Sequence, residues 1–329
     1  MKVAKVYYEK DVVTDRLRDK TIAVIGYGIQ GRAQALNLRD SGVKVVLGLR
    51  RGESWNRAEK EDFVVSEIRD AVESSDIVMM LIPDEVQPDI YDKYVEPNLR
   101  PGKALVFAHG FNIRYGTIKP PHYVDVIMIA PKAPGAAVRE TYVEGIGVPC
   151  LMAVHQDYTG QAQGTALSIA HALHATKVGV IETTFDEETE TDLFGEQAVL
   201  CGGVTELIKR GFDVLIKAGY QPEVAYFEVL HEMKMIVDLI QKGGIEHMWD
   251  NVSNTAEYGG RTRGSAIINA ETAERMKKLL DDIKSGDFAR EWTKEYSDGC
   301  ISLNQYRQTA KTSTIEKVGT NLRQMFREE

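Results

Sequence analysis

The chain has 329 residues, 43% hydrophobic and 27% charged, with a formal net charge of −9. That length allows two domains with sizeable cores, and the acidic balance argues against nucleic acid or an anionic membrane as main partner. Cys150, Cys201 and Cys300 stand far apart, no apolar run spans a bilayer, and the opening "MKVAKVYYEKDVV" holds no signal-length apolar core, so a cytoplasmic protein with reduced thiols is expected.

Short apolar runs recur from residue 21 to about 182: "TIAVIG" (21–26), "VKVVLGL" (43–49), "DIVMMLIP" (76–83), "ALVFAHG" (104–110), "DVIMIAP" (125–131) and "PCLMAVH" (149–155). Being almost continuously apolar, they predict strands buried on both faces of a parallel sheet. The stretches between them, such as 29–41 and 64–74, carry helical spacing. The pattern predicts a doubly wound α/β domain over residues 1–183. After "GVIETTF" (179–185) the strand signal stops. "TDLFGEQAVLCGGVTELIKRGFDVLIKAG" and "PEVAYFEVLHEMKMIVDLIQKGG" repeat apolar residues at helical intervals and end in glycine, and 270–284 and 311–327 follow suit. The expectation for 184–329 is an all-α domain.

The first strand runs straight into Gly26-Tyr27-Gly28-Ile29-Gln30-Gly31, a GxGxxG between a predicted strand and a predicted helix. Glycines there permit a tight turn and close backbone approach to a pyrophosphate at the helix N-terminus. This predicts a dinucleotide site, against the alternative of an empty structural turn. The second strand ends in Leu49-Arg50-Arg51-Gly52-Glu53-Ser54-Trp55. The arginines favour a 2′-phosphate, whereas Glu53 accepts hydrogen bonds from free ribose hydroxyls and repels phosphate. Arginine also stacks on adenine whatever the phosphate, so Glu53 tips the expectation to NADH, or to use of both cofactors.

"PDEVQ" (83–87) follows the third strand, where a loop can cover the nicotinamide end. His109 closes the fourth strand and Lys132 the fifth, at the carboxyl edge where open α/β sheets bind ligands. Each has a plain alternative, a histidine satisfying a loop carbonyl and a solvated lysine. His155, His171 and His174 show no metal spacing and read as structural. Further on, Asp192 and Glu196 lie four apart, as do Glu228 and Glu232. On a helix, like charges at that spacing repel, but two such pairs supply an all-oxygen shell for hard divalent cations. Apolar Leu193, Phe194, Phe227 and Leu230 beside them suggest partial burial, which makes unneutralised acid costly.

With these residues in view the sequence resembles the ketol-acid reductoisomerases of the short, class I form. The blocks that carry the resemblance include "IGYGIQGRAQALNLRDSG", "PDEVQ", "FAHGFNI", "DVIMIAPKAPG", "ETTFDEETETDLFGEQAVLCGG", "YFEVLHEMKMIVDLI" and "SNTAEYG", and they span essentially the whole chain. The resemblance implies a Rossmann domain followed by a knotted helical domain. It implies reduction of 2-acetolactate and 2-aceto-2-hydroxybutyrate in valine and isoleucine synthesis, with two Mg2+ ions and a nicotinamide cofactor. Asp192 and Glu196 fall on the family's first pair of magnesium ligands, Glu228 and Glu232 on its second. His109 and Lys132 match its active-site histidine and lysine, with Glu232 a further candidate for proton relay, and Ser253 its substrate-binding serine. Tyr27, Gly28, Ile29, Gln30, Arg50, Asp84, Glu85, Val86, Gln87 and Gly135 match cofactor-contacting positions. Two departures stand out: Glu53 replaces a small hydroxyl residue, and Ile29 replaces the usual serine of the glycine turn. A homo-oligomer is implied too, with the second carboxylate pair and Ser253 supplied by a partner subunit. Runner-up readings are a metal-free hydroxyacid dehydrogenase using Lys132 as acid and base, and a non-catalytic dinucleotide sensor.

Overall fold

A computed structural model of the chain describes residues 4–325, the side chains of residues 14 and 15 excepted. It falls into two compact units, one ending at Thr191 and the other beginning at Asp192.

The first unit is built on β1 (Val6–Tyr7), β2 (Thr21–Ile25), α1 (Ile29–Asp40), β3 (Lys44–Gly48), α2 (Glu53–Lys60), β4 (Val64–Ser66), α3 (Ile68–Ser74), β5 (Ile77–Met80), α4 (Gln87–Ile90), β6 (Ala104–Phe107), α5 (Phe111–Arg114), β7 (Asp125–Pro131), α6 (Gly135–Val143), β8 (Cys150–Gln156), α7 (Ala162–Ala172), α8 (Ala175–Val178), β9 (Val180–Glu182) and all but the last residues of α9 (Phe185–Phe194). The strands form one sheet in the order β1-β9-β8-β7-β6-β5-β2-β3-β4. Its run from β4 to β7 is wholly parallel, and strand order reverses between β2 and β5. A crevice at such a reversal, beyond the strands' carboxyl ends, is where doubly wound sheets bind ligands.

Alternate strand residues explain why the runs are apolar throughout. Ile22, Val24, Met79, Val106 and Ile127 pack with Leu36, Leu38, Leu167 and Ile169 on one face. Ala23, Ile25, Met80, Leu105 and Met128 pack with Ile68, Val72 and Tyr91 on the other. Both faces are therefore dry, as the sequence pattern requires.

Three details depart from expectation. The sheet is mixed, because β8 runs antiparallel to β7 and β1 antiparallel to β9. A parallel return needs a crossover that carries the chain back to the amino ends of the strands. Here α6 instead stays near α1, through Ala33, Val138 and Val148, and Pro131 pairs directly with Cys150. The stretch 64–74 is not one helix: its Val-Val-Ser start pairs with β3 as an edge strand, and the helix begins at Ile68.

In the second unit the long helices are interrupted, the third departure. A π-turn over Gly195–Leu200 precedes α10 (Gly202–Lys217). Another, Phe227–His231, lies between α11 (Pro222–Tyr226) and α12 (Met233–Asp250). The Cys201 N–H reaches back five residues to the Glu196 carbonyl, and the Glu232 N–H to the Phe227 carbonyl. Helix α12 passes the glycines that should have closed it and kinks at Gly244, whose φ of 91° favours glycine. It is followed by α13 (Asn254–Ile267), α14 (Ala270–Ser285), α15 (Asp287–Ser297), α16 (Ile301–Lys311) and α17 (Thr314–Met325). Phe212, Tyr226, Ile315, Val318 and Leu322 form a core of this unit. Among the described residues, no helix is long and apolar enough to cross a membrane.

Candidate active site

The glycine turn lies at the carboxyl end of β2. A Cβ on Gly26 would stand 2.6 Å from the Leu81 carbonyl oxygen, and one on Gly31 would collide with the Gly26 carbonyl. Those two glycines let strand, turn and α1 close on one another. Gly28 differs: a Cβ there would meet nothing within 4 Å, so the second glycine faces open space at the N-terminus of α1. That empty cradle fits a phosphate.

A cavity of about 600 Å³ opens beside the turn, bordered by Gly26, Tyr27, Gly28, Arg50, Glu53, Ser54 and Val86 among others. Glu53 is exposed at the first position of α2. Arg51 lays its guanidinium 3.8 Å from the centre of the Trp55 ring, so its stacking partner comes from the protein itself. Ile29 is 79% exposed. Gln30 donates to the Ala133 carbonyl at 3.0 Å, and Gly135 packs so closely on the Ile29 backbone that a Cβ would overlap it. These two residues hold the start of α6 against the turn.

The loop of Asp84 to Gln87 is stitched to the one after β6 by a residue the sequence reading did not single out. Buried Asn112 donates to the Asp84 carbonyl at 3.0 Å and to Gln87 Oε1 at 3.1 Å. Gln87 in turn donates to the Ile82 carbonyl at 2.9 Å and to Asp84 Oδ1 at 3.2 Å. Glu85 lies between them, partly buried.

At the ends of β6 and β7, His109 and Lys132 converge on a carboxylate that was also missed, Glu188 of α9. Lys132 Nζ donates to Glu188 Oε1 at 2.8 Å. His109 Nδ1 lies 3.0 Å and the Gly110 N–H 3.0 Å from Glu188 Oε2. The Glu188 side chain is only 1% exposed. Burial alone would push its carboxyl up, but the hydrogen bond to His109 and the charges of His109 and Lys132 outweigh it and hold the group below the usual carboxylate range. Arg114 of α5 clamps α9 through Glu190, with Nη2 to Oε1 at 2.8 Å. One turn past Glu188, Asp192 adds a second carboxylate: ligand atoms of His109, Glu188 and Asp192 all lie within 4.8 Å of one another. Such an oxygen-rich set fits a hard divalent cation. The signal that could have found Glu188 is the unbroken series of acids at 188, 192 and 196, of which only the last two were paired.

Glu196 lies in the first π-turn and Glu228 in the second, with Glu232 just after it. All three are exposed, while Leu193 is buried and Phe194, Phe227 and Leu230 are partly so. Widened turns of this kind are frequent at functional sites. Among the described residues, Glu228 and Glu232 join no cluster of three potential ligands. Ser253, also exposed, caps α13 by accepting from the Ala256 N–H at 3.2 Å.

Residues 16–179 match the family model described as acetohydroxy acid isomeroreductase, NADPH-binding domain, and residues 185–328 that of the ketol-acid reductoisomerase C-terminal domain. The chain belongs to the ketol-acid reductoisomerase family. A ketol-acid reductoisomerase (NADP(+)) of Methanocaldococcus jannaschii is 58% identical over 98% of both chains. One from Pyrobaculum neutrophilum is 58% identical over 98% of this chain and 99% of its own. The solved structure of an NADH-preferring ketol-acid reductoisomerase from an uncultured archean superposes with a TM-score of 0.95 at 50% identity, covering 97% of this chain and 98% of that one. A semialdehyde dehydrogenase NAD-binding protein from Cupriavidus necator, at TM-score 0.59 and 18% identity over 79% of this chain and 99% of its own, shares the fold alone. Membership of this family makes the chain a nicotinamide-dependent oxidoreductase.

Proposed function

We propose that the chain converts 2-acetolactate to 2,3-dihydroxyisovalerate, and 2-aceto-2-hydroxybutyrate to its homologous product, in valine and isoleucine synthesis. The observation that carries this reading is the buried Glu188 carboxylate gripping His109 and Lys132 one helical turn from Asp192, in a chain of this family. The substrate is a 2-hydroxy-3-keto acid, its tertiary alcohol carbon next to the ketone. Its alkyl group moves to the adjacent carbonyl carbon as the alcohol loses its proton, and the new ketone is then reduced. Two Mg2+ ions, when bound, would lower the hydroxyl pKa and stabilise charge growing on oxygen, and the nicotinamide would supply hydride.

The chain's own residues have narrower tasks. Asp192 and Glu196, with Glu228 and Glu232, would hold the ions. Glu188 fixes His109 and Lys132, so that both present positive or donor groups where negative charge develops. Glu232 is the candidate to relay a proton. Ser253 would orient the substrate from its helix cap. The turn from Gly26 to Gln30 would take the pyrophosphate, and the loop of Asp84 to Gln87, held by Asn112, would bound the nicotinamide end beside Gly135. Glu53, at the head of α2, opposes a 2′-phosphate, which supports NADH as the preferred cofactor or use of both, with Arg50 contacting either. We further propose a homo-oligomer in which Glu228, Glu232 and Ser253 serve a partner's site.

The decisive experiment is a steady-state assay with 2-acetolactate and Mg2+, run with NADH and with NADPH. Turnover abolished by EDTA, restored by Mg2+ and lost in Asp192→Asn is expected. Metal-independent reduction would replace the proposal with the plain dehydrogenase. A kcat/KM for NADPH far above that for NADH would remove the role given to Glu53.

A further inference from the structure

Beneath the glycine turn runs a polar network centred on Glu61, a residue that neither borders the cofactor cavity nor joins the Glu188 cluster. The Tyr27 ring is 2% exposed and meets Phe63 edge-on, with centroids 5.6 Å apart. Its hydroxyl donates to Glu61 Oε2. The same carboxylate takes a forked pair from Arg32 in the first turn of α1, Nη2 to Oε1 at 2.6 Å and Nε to Oε2 at 3.1 Å. From the last turn of α1, Arg39 Nη1 reaches the Glu61 carbonyl at 2.5 Å, and its guanidinium covers Phe63 at 4.5 Å. Glu61 follows the last turn of α2, its N–H bonded to the carbonyls of Arg57 and Ala58, and Asp62 after it sits at a φ of 60°. Both ends of α1 and the turn itself thus seize one residue at the foot of α2.

The head of α2 is Glu53, on the rim of the cavity that Gly26 and Gly28 also border. A helix of eight residues is about 12 Å long and rigid on that scale. Fixing its foot to the glycine turn therefore fixes its head relative to the same turn. On the reading that this cleft takes a dinucleotide, we propose that Glu61 is a positioning residue: the Tyr27–Glu61–Arg32 network sets the separation between the turn that binds the pyrophosphate and the helix head that binds the adenosine ribose. Glu61 does not border the cavity, so its effect passes through the two elements it joins. A ligand that grips both places gains from a preset spacing, because no ordering of the protein is left to offset on binding. A ligand that grips only the ribose end gains nothing.

The test uses the full-length protein carrying Glu61→Gln, and separately Tyr27→Phe, which keeps the ring on Phe63. NADH affinity is read by fluorescence titration and adenosine affinity by competition. Each variant is expected to weaken NADH about tenfold while adenosine stays within about twofold. The double variant should lose no more than the worse single one, since the groups act as one unit. In the assay with Glu61→Gln, the loss should fall on KM for NADH rather than on kcat. Unaltered NADH affinity, or equal losses for NADH and adenosine, overturns the proposal, the second outcome marking a general loosening of α2. Should the unsubstituted protein bind neither NADH nor NADPH, the dinucleotide reading itself falls and takes this proposal with it.

Discussion

Glu188 accepts three hydrogen bonds in a setting almost closed to water, from Lys132, the His109 ring and the Gly110 N–H. Charge-assisted bonds of this kind are roughly twice as strong as neutral ones, and a neutral amide in the same place would turn an NH2 toward donors. Glu188→Gln is therefore expected to lower kcat by about 100-fold, the scale of losing one positioned acid–base or electrostatic group. Removing one partner of a buried ionic cluster costs about 3–5 kcal/mol; with Lys132 32% and His109 20% exposed, the low end applies. A melting curve should show the fold retained at a lower Tm, and an unchanged kcat would show that the cluster only braces the fold. His109 and Lys132 were legible because a strand's carboxyl end is a favoured place for chemistry. Glu188 was not, because spacing reveals which acids share a face but not which of them turns inward.

At the scale of elements, the two outer glycines of the turn and the middle one serve different ends, and substitution separates them. Gly31→Ala would drive a methyl into the Gly26 carbonyl, forcing α1 away from β2 at a cost of about 1–3 kcal/mol and lowering Tm with or without cofactor. Gly28→Ala meets open space at a φ of −82°, so Tm of the unliganded protein should stay put. Its methyl would instead stand in the proposed phosphate cradle, and NADH affinity is expected to fall by about tenfold or more on titration. Equal affinity in Gly28→Ala and the unsubstituted chain would move the pyrophosphate elsewhere. The strands and the glycine turn were readable because burial on both faces leaves an almost uninterrupted apolar signature. Residues 64–74 misled because Val64 and Val65 sit in phase with the apolar stripe of α3. The π-turns at Gly195–Leu200 and Phe227–His231 left no sequence trace, since one added residue hardly disturbs an apolar stripe that α-helix and π-turn share.

On the scale of the whole molecule, the second unit leaves much apolar surface uncovered: Leu200, Leu207, Val214, Val237, Ile267 and Ile301 are all exposed. Apolar side chains gathered into one exposed patch favour burial against another chain, and most soluble homo-oligomers are twofold. Glu228 and Glu232 are exposed in the same unit, as residues lent to a partner's site would be before assembly. Shared sites have a consequence that contact residues alone would not produce. Asp192→Asn and Glu232→Gln should each abolish turnover when present in every subunit. If the two carboxylates of one site come from different chains, a mixed dimer carries one site with both substitutions and one site with neither. Equal amounts of the two variants, unfolded and refolded together, give mixed dimers in about half of the molecules. Each has one working site of two, so recovered kcat should be about a quarter of that of the unsubstituted enzyme. If both carboxylates of a site come from the same chain, every site in the mixture is damaged and no activity returns. Sedimentation of the refolded mixture as a dimer or larger, together with the assay, tells this outcome from a simple failure to assemble.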